Sequence, residues 1–182
     1  MARDTLSRSL HDLGLAAWFG GTLANAVALN PASAEADTSA GTGAVANVGW
    51  DRWTPVNAAA IGAHLIGSVG QIVGNKGRLG AQEGVASMAL AKTTLTAAAL
   101  GVTAYSRMLG RKVSSETRMP AQSATEPDVG TPPAVAAAQK QLRQLQWAVP
   151  ALTGALVVVS SYAGEQQRAS EVNKGLKERL LG

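Results

Sequence analysis

Four polar side chains lie inside otherwise apolar stretches of the sequence, and they are the residues best placed to do chemistry: Asn25, His64, Gln71 and Lys92. A polar group in an apolar environment costs free energy unless it has a partner. Joined by hydrogen bonds, the four would form a site for a proton, an anion or a polar head group. Alternatively, Lys92 extends to the nearer membrane interface while His64 and Gln71 bond neighbouring helices. We prefer this second, structural interpretation, and the sequence leaves both open.

Several classes of chemistry are excluded by composition. The chain has no cysteine, which removes disulfides, thiolate catalysis and cysteine-bound metals. It also lacks the phosphate-loop, zinc-protease and nucleophile-elbow motifs. His11 stands at the entrance of the first apolar segment and not at the depth of His64, so we do not expect haem held by two histidines. The sequence therefore predicts a protein that is not an enzyme, with no catalytic residue, no cofactor and no metal site.

Four apolar segments must position these side chains, and they predict helices near residues 13–30, 54–75, 85–107 and 145–164. A helix of about 20 residues is long enough to cross the hydrocarbon core of a bilayer, which is about 30 Å thick. Pro31 predicts the end of the first helix, and Thr54 followed by Pro55 predicts the start of the second. Between them, residues 32–53 have the small, polar composition of a loop.

The predicted fold class is all-α, an integral membrane bundle of four transmembrane helices with a polar C-terminal helix. Residues 1–164 form the four-helix membrane domain, and residues 165–182 form a charged C-terminal tail. Four prolines make residues 110–133 an irregular loop. The prediction places no domain boundary inside the bundle.

The first apolar segment has a second interpretation. Basic residues before it and the small triplet Ala32-Ser33-Ala34 after it resemble a secretory signal with its cleavage site. Asn25 and the cluster Trp18-Phe19-Gly20-Gly21 are unusual in the core of a signal. We therefore predict a retained membrane helix, and whether the segment can also act as a cleavable signal stays open.

The tryptophan and tyrosine residues support the membrane interpretation. With four crossings, one membrane boundary receives Trp50, Trp53, Tyr105 and Trp147. Trp18 and Tyr162 fall towards the opposite boundary. Aromatic residues concentrate at membrane–water interfaces, so this distribution is typical of a multi-pass protein of the cell membrane.

Orientation rests on the first loop. Basic residues number eight on one side and seven on the other, which does not decide the topology. The first loop carries Glu35, Asp37 and Asp51 against a single arginine, and this acidic balance predicts that the N- and C-termini are cytoplasmic.

Charge and glycine spacing indicate the partners. The net charge of +4 is spread over sixteen basic residues without a dense run, which favours an anionic membrane surface over nucleic acid. Small residues along the second helix suit close helix packing in lipid: Gly62, Gly67, Gly70 and Gly74. We therefore expect the lipid bilayer, and either other membrane-protein subunits or copies of the same chain, as partners. The predicted role is an accessory subunit of a larger membrane complex; the alternative is a small transporter or binding protein for a hydrophobic or anionic compound.

The run from Leu13 to Gly21 (LGLAAWFGG) resembles the opening of small four-helix bacterial membrane proteins of the DUF4149 or TMEM205-like kind, with Trp-x-Gly-Gly as the shared piece. Gly62-Ala63-His64-Leu65 and the run 151–155 (ALTGA) are also similar to an actinobacterial group of membrane proteins of unknown function. The resemblance implies a four-helix membrane fold and brings no activity to any residue.

Overall fold

A computed structural model describes residues 4–77, 84–115 and 120–165, and it is mostly helical, as predicted. The long helices are α1 (Thr5–Ala24), α2 (Ser39–Gly74), α3 (Val85–Val113) and α4 (Pro133–Glu165). Two short strands, β1 (Ala121–Ser123) and β2 (Glu126–Pro127), pair antiparallel with Ala121 opposite Pro127. The predicted polar tail lies, beyond Glu165, outside the described residues.

The first helical segment continues past its predicted end. A π-helical turn (Asn25–Leu29), a short α-helical turn (Asn30–Ala32) and a 3₁₀ turn (Ser33–Glu35) follow α1 directly. The prediction that Pro31 ends the helix is therefore wrong. The π turn explains the difference, since the Asn30 N–H donates to the carbonyl five residues earlier, at Asn25. This wider turn accommodates a proline that a regular α-helix would not.

Helix α2 begins at Ser39, so the loop predicted for residues 32–53 and the helix start at Thr54 are wrong. The Thr38 hydroxyl caps the helix by accepting a hydrogen bond from the Gly41 N–H at 3.0 Å. Pro55 lies inside the helix, and the Thr54 hydroxyl donates to the Trp50 carbonyl at 2.7 Å. Small residues that looked like loop composition serve as a closely packed helix face instead.

The other two helices extend beyond the predicted apolar segments, α3 to Val113 and α4 from Pro133, where Thr131-Pro132-Pro133 resembles a helix start in the sequence. Their added turns are held together by a small apolar core of Leu109, Val113, Val135 and Ala138. The remainder of the predicted loop 110–133 contains the β1–β2 hairpin. Together these extensions form a layer beyond the bundle that we call the cap: residues 25–49, 108–115 and 120–146.

The bundle is built from two antiparallel pairs. α1 packs along α2, α3 packs along α4, and α1 also packs on α4. The bundle has its own core, formed by Trp18, Ala60, Ala99 and Val149. By contrast, α2 and α3 make few close backbone contacts. Side chains join them instead: His64 with Thr96, Asn47 with Ser114, and Asp51 with Arg107.

Three helices are long and apolar enough to cross a membrane: α2, α3 and α4. Only 6 % of the most apolar stretch of α3 is buried within the protein, so most of that helix faces outward. Such exposure of apolar side chains suits lipid and not water. α1 is not among the three, and its first half is polar, with Arg8, His11 and Asp12. The structure thus supports a membrane-spanning protein.

Candidate functional site

The four polar residues predicted to cluster do not all come together. Gln71 and Lys92 line one cavity of about 510 Å³ between α2 and α3, which we call the Lys92 cavity. His64 is fully buried beside it, with Nε2 3.4 Å from the hydroxyl of Thr96, which also lines this cavity. Asn25 lies apart, in the π turn. It is eleven residues beyond Gly14, a neighbour of the His64 backbone, and therefore about 16 Å further along the helix.

His11 takes the place that Asn25 was expected to fill. The ring centroids of His11 and His64 are 4.6 Å apart, and the Trp18 ring lies 6.0 Å from His64. The expectation that His11 does not reach the depth of His64 is therefore wrong. Since α1 begins at Thr5 and runs antiparallel to α2, His11 lies opposite His64. The two rings touch each other directly, leaving no space for a macrocycle between them.

The His11 ring is held by its own helix. Its Nδ1 is 2.7 Å from the Asp12 carboxylate, whereas the side chain as a whole is buried. No group of three or more histidine or acidic residues in the described ranges is arranged to hold a metal ion. The two histidine rings join α1 to α2 by direct packing.

The glycines of α2 divide into two sets. A Cβ on Gly67 would overlap the backbone of Ser7 and His11. One on Gly70 would overlap the side chain of Ser7, and one on Gly74 would overlap that of Asp4, the residue before α1. A Cβ on Gly62 would meet no described atom within 4 Å. Three of the four predicted packing glycines therefore lie against α1 of the same chain, and Gly62 faces open space.

A second cavity, of about 230 Å³, lies where the bundle meets the cap, and we call it the Arg107 cavity. α2, α3 and α4 form its walls, and Thr22 of α1 closes one side. Apolar side chains such as Ile61, Leu142 and Val149 make up much of the lining. The aromatic residues Trp50 and Trp53, predicted to lie at a membrane boundary, also line it.

Six buried polar atoms of this lining have no hydrogen-bond partner among the described residues, and we call them the unpaired set. They are Asn47 Nδ2, Trp53 Nε1, Asn57 Oδ1, Thr103 Oγ1, Ser106 Oγ and Arg107 Nε. A buried polar group left unsatisfied costs about 1–3 kcal/mol. Buried polar groups are therefore nearly always satisfied by protein, water or ligand. Six of them on residues around one cavity make it the candidate site for a polar ligand or for ordered water.

The chemistry of the unpaired set defines the complementary ligand. Three of its atoms are N–H donors, two are hydroxyls and one, Asn57 Oδ1, is an acceptor. A matching group offers mainly acceptor oxygens and one donor. Arg107 also brings positive charge: its nearest described carboxylate, Asp51, lies 3.6 Å from a terminal guanidinium nitrogen, beyond normal hydrogen-bond length. Neither cavity lining, as far as the structure describes it, includes a carboxylate.

Sequence reasoning missed the Arg107 cavity. Its members recur at intervals of three and four residues, as in Thr54, Asn57 and Ile61 on α2, or Thr103, Ser106 and Arg107 on α3. Such intervals place side chains on one helix face. The composition of residues 32–53 predicts a loop, so Asn47 falls outside the predicted helix that carries Thr54, Asn57 and Ile61.

No protein-family model matches the chain, and comparisons with characterised proteins and with solved structures found no significant similarity. The resemblance of the Leu13–Gly21 run therefore stays a prediction, and the argument for function rests on the cavities.

Proposed function

We propose that this chain is a multi-pass protein of the cell membrane that binds a small molecule with an apolar body and an oxygen-rich polar group in the Arg107 cavity. The unpaired set carries the proposal. An apolar cavity with a few convergent polar groups is the usual form of a small-molecule site. Binding would satisfy donors and acceptors that otherwise remain desolvated and unpaired.

The distribution of charge supports four membrane crossings. Between Lys92 and Arg107, fifteen residues or about 22 Å apart along α3, neither α3 nor the facing part of α2, from Trp53 to Gln71, carries an Asp, Glu, Lys or Arg. On α1, Asp12 lies beside His11 towards the Lys92 end. The uncharged part of α1 runs beside α2 through this layer, with Gly21 close to Trp53 and Gly14 close to the backbone of His64. In this arrangement the cap lies outside the membrane at the Arg107 end. With the termini cytoplasmic, the cap faces the opposite side.

The predicted accessory-subunit role draws on small-residue helix faces, on the lack of catalytic groups and on a charged tail able to dock. Gly67, Gly70 and Gly74 use the small-residue face of α2 to pack on α1, so that face gives no support to docking of another chain. A binding protein for a hydrophobic or anionic compound fits the cavities better, and we place it first.

Native mass spectrometry of the protein purified in a mild detergent tests the proposal. We expect a non-protein adduct on the wild-type chain and at least a tenfold lower occupancy in Arg107→Gln and in Asn57→Leu. Arg111→Gln is the matched control, because Arg111 is exposed one turn further along α3 and does not line the cavity. Equal occupancy in the wild type and both cavity variants would overturn the proposal.

A further inference from the structure

The two cavities follow each other along one groove between α2 and α3. On α2, Ile61 lines the Arg107 cavity and Leu65, one turn on, lines the Lys92 cavity. On α3, Thr103 and Leu100 stand in the same relation. The linings of the two cavities therefore adjoin in the space between α2 and α3, whose backbones approach each other at few points. We call this space the α2–α3 groove.

The groove is polar at the Arg107 end and apolar along its middle. Leu65, Val69, Ala97 and Leu100 form the middle walls. Its length from Arg107 to Lys92 is about 22 Å, longer than half the hydrocarbon thickness, which is about 15 Å. A chain anchored at Arg107 can therefore lie in the groove over the full depth of one leaflet. The outward exposure of α3 leaves the groove accessible from the surrounding lipid.

Charge selects the occupant. Arg107 supplies a cation at the head end; its partner Asp51 lies 3.6 Å away outside the lining, and the described lining itself includes no carboxylate. A phosphate at this end can pair with the Arg107 guanidinium, because phosphate oxygens accept charge-assisted hydrogen bonds from arginine. A hydroxyl on the head group can donate to Asn57 Oδ1, the acceptor of the unpaired set.

We infer that the ligand is an anionic glycerophospholipid with a hydroxyl-bearing head group, its phosphate at the Arg107 end and one acyl chain along the α2–α3 groove. This inference rests on the proposed function and adds the class of ligand and the place of its tail. It requires that both the anionic head and the acyl chain contribute to binding.

The test measures binding of three probes to the delipidated full chain in detergent: phosphatidylglycerol, phosphatidylcholine and glycerol phosphate. We expect saturable binding of phosphatidylglycerol, at least tenfold weaker binding of phosphatidylcholine, and none detectable for glycerol phosphate, which has no acyl chain. Two variants block the groove from opposite walls, Ala97→Phe on α3 and Val69→Phe on α2. Each should weaken phosphatidylglycerol at least tenfold. Ala98→Phe is the matched control, since Ala98 is equally exposed but lines neither cavity, and it should stay within twofold.

The outcomes separate the two proposals. If Arg107→Gln weakens binding but neither blocking variant does, the cavity binds a ligand whose tail is not in the groove, and the lipid inference is overturned alone. Binding of glycerol phosphate as tightly as phosphatidylglycerol would likewise identify a free anion as the ligand. If neither Arg107→Gln nor Asn57→Leu changes the binding of any probe and the adduct is unchanged, both proposals fail.

Discussion

The imidazole rings of His11 and His64 lie 4.6 Å apart, each on one of two helices whose glycines bring the backbones close together. Both side chains are buried, and His64 also reaches Thr96 on α3. The contacts of His64 therefore connect α1, α2 and α3 at one buried position. They hold α1 in register with α2, and they place the open α2–α3 groove beside a rigid part of the bundle.

Removal of His64 should be strongly destabilising. We expect His64→Ala to lower the free energy of unfolding by about 2–4 kcal/mol, because a fully buried ring is replaced by a void against His11 and Trp18. Reversible denaturation in detergent measures the change. In a double-mutant cycle with His11→Ala, the two substitutions should show a coupling of about 0.5–1.5 kcal/mol. Strict additivity would mean that the rings do not stabilise each other.

Two glycines of α2 should respond to alanine with opposite signs. Gly67→Ala should destabilise the protein by about 1–3 kcal/mol, since the new Cβ overlaps the backbone of Ser7 and His11. Gly62→Ala adds a methyl group to open space and should stabilise the helix by about 0.5–1 kcal/mol. Thermal melting in one detergent compares both with the wild type. Equal shifts for the two variants would contradict the packing of α1 on this face.

The apolar segments could be predicted because length and hydropathy decide whether a helix can cross a membrane. The predicted helices near residues 54–75, 85–107 and 145–164 all lie within helices that meet this condition. The cap could not be predicted in the same way. Residues 39–53 combine glycine, serine and threonine, which have weak helix propensity, and their helix is stabilised by packing against β1 and the 3₁₀ turn Ser33–Glu35.

The His11–His64 pair could not be predicted for a related reason. The uncharged run starts at Leu13, which predicts that His11 lies only at the entrance of the first membrane helix. In the structure α1 begins at Thr5, and its charged first turns lie beside Gly67 and Gly74 of α2. Helix register depends on contacts between distant parts of the chain, and periodicity within one segment does not contain that information. The pairing of His11 with His64 is visible only in three dimensions.

The chain should remain in the membrane fraction after washing with alkaline carbonate. Three helices carry apolar stretches long enough to cross the bilayer, and most of the residues in those stretches are not buried by the protein itself. Desolvation of that surface by lipid makes extraction unfavourable. Fractionation followed by immunoblotting measures it, with a peripheral membrane protein as the control. Recovery in the soluble wash would contradict every membrane crossing.

Lys92→Met should leave both insertion and lipid binding intact. Lys92 lies at the far end of the groove from Arg107, and the nearby charge of Asp12 belongs to a side chain that is 71 % exposed. A charge interaction with so exposed a carboxylate is worth about 1 kcal/mol at most, so its loss should be small. A lysine at the centre of a membrane helix costs about 2.5–3.5 kcal/mol during insertion; Lys92 lies at one end of the uncharged layer, so its cost is smaller, and methionine should insert at least as well.

The measurement is phosphatidylglycerol affinity in Lys92→Met and Arg107→Gln, alongside the yield of each variant in the membrane fraction. We expect Lys92→Met to bind within twofold of the wild type and Arg107→Gln to bind at least tenfold more weakly, with equal membrane yields. The difference follows from the positions of the unpaired set, which surrounds Arg107 and has no member in the Lys92 lining. A tenfold loss in Lys92→Met with unchanged binding in Arg107→Gln would place the head group at the Lys92 end and reverse the lipid in the groove.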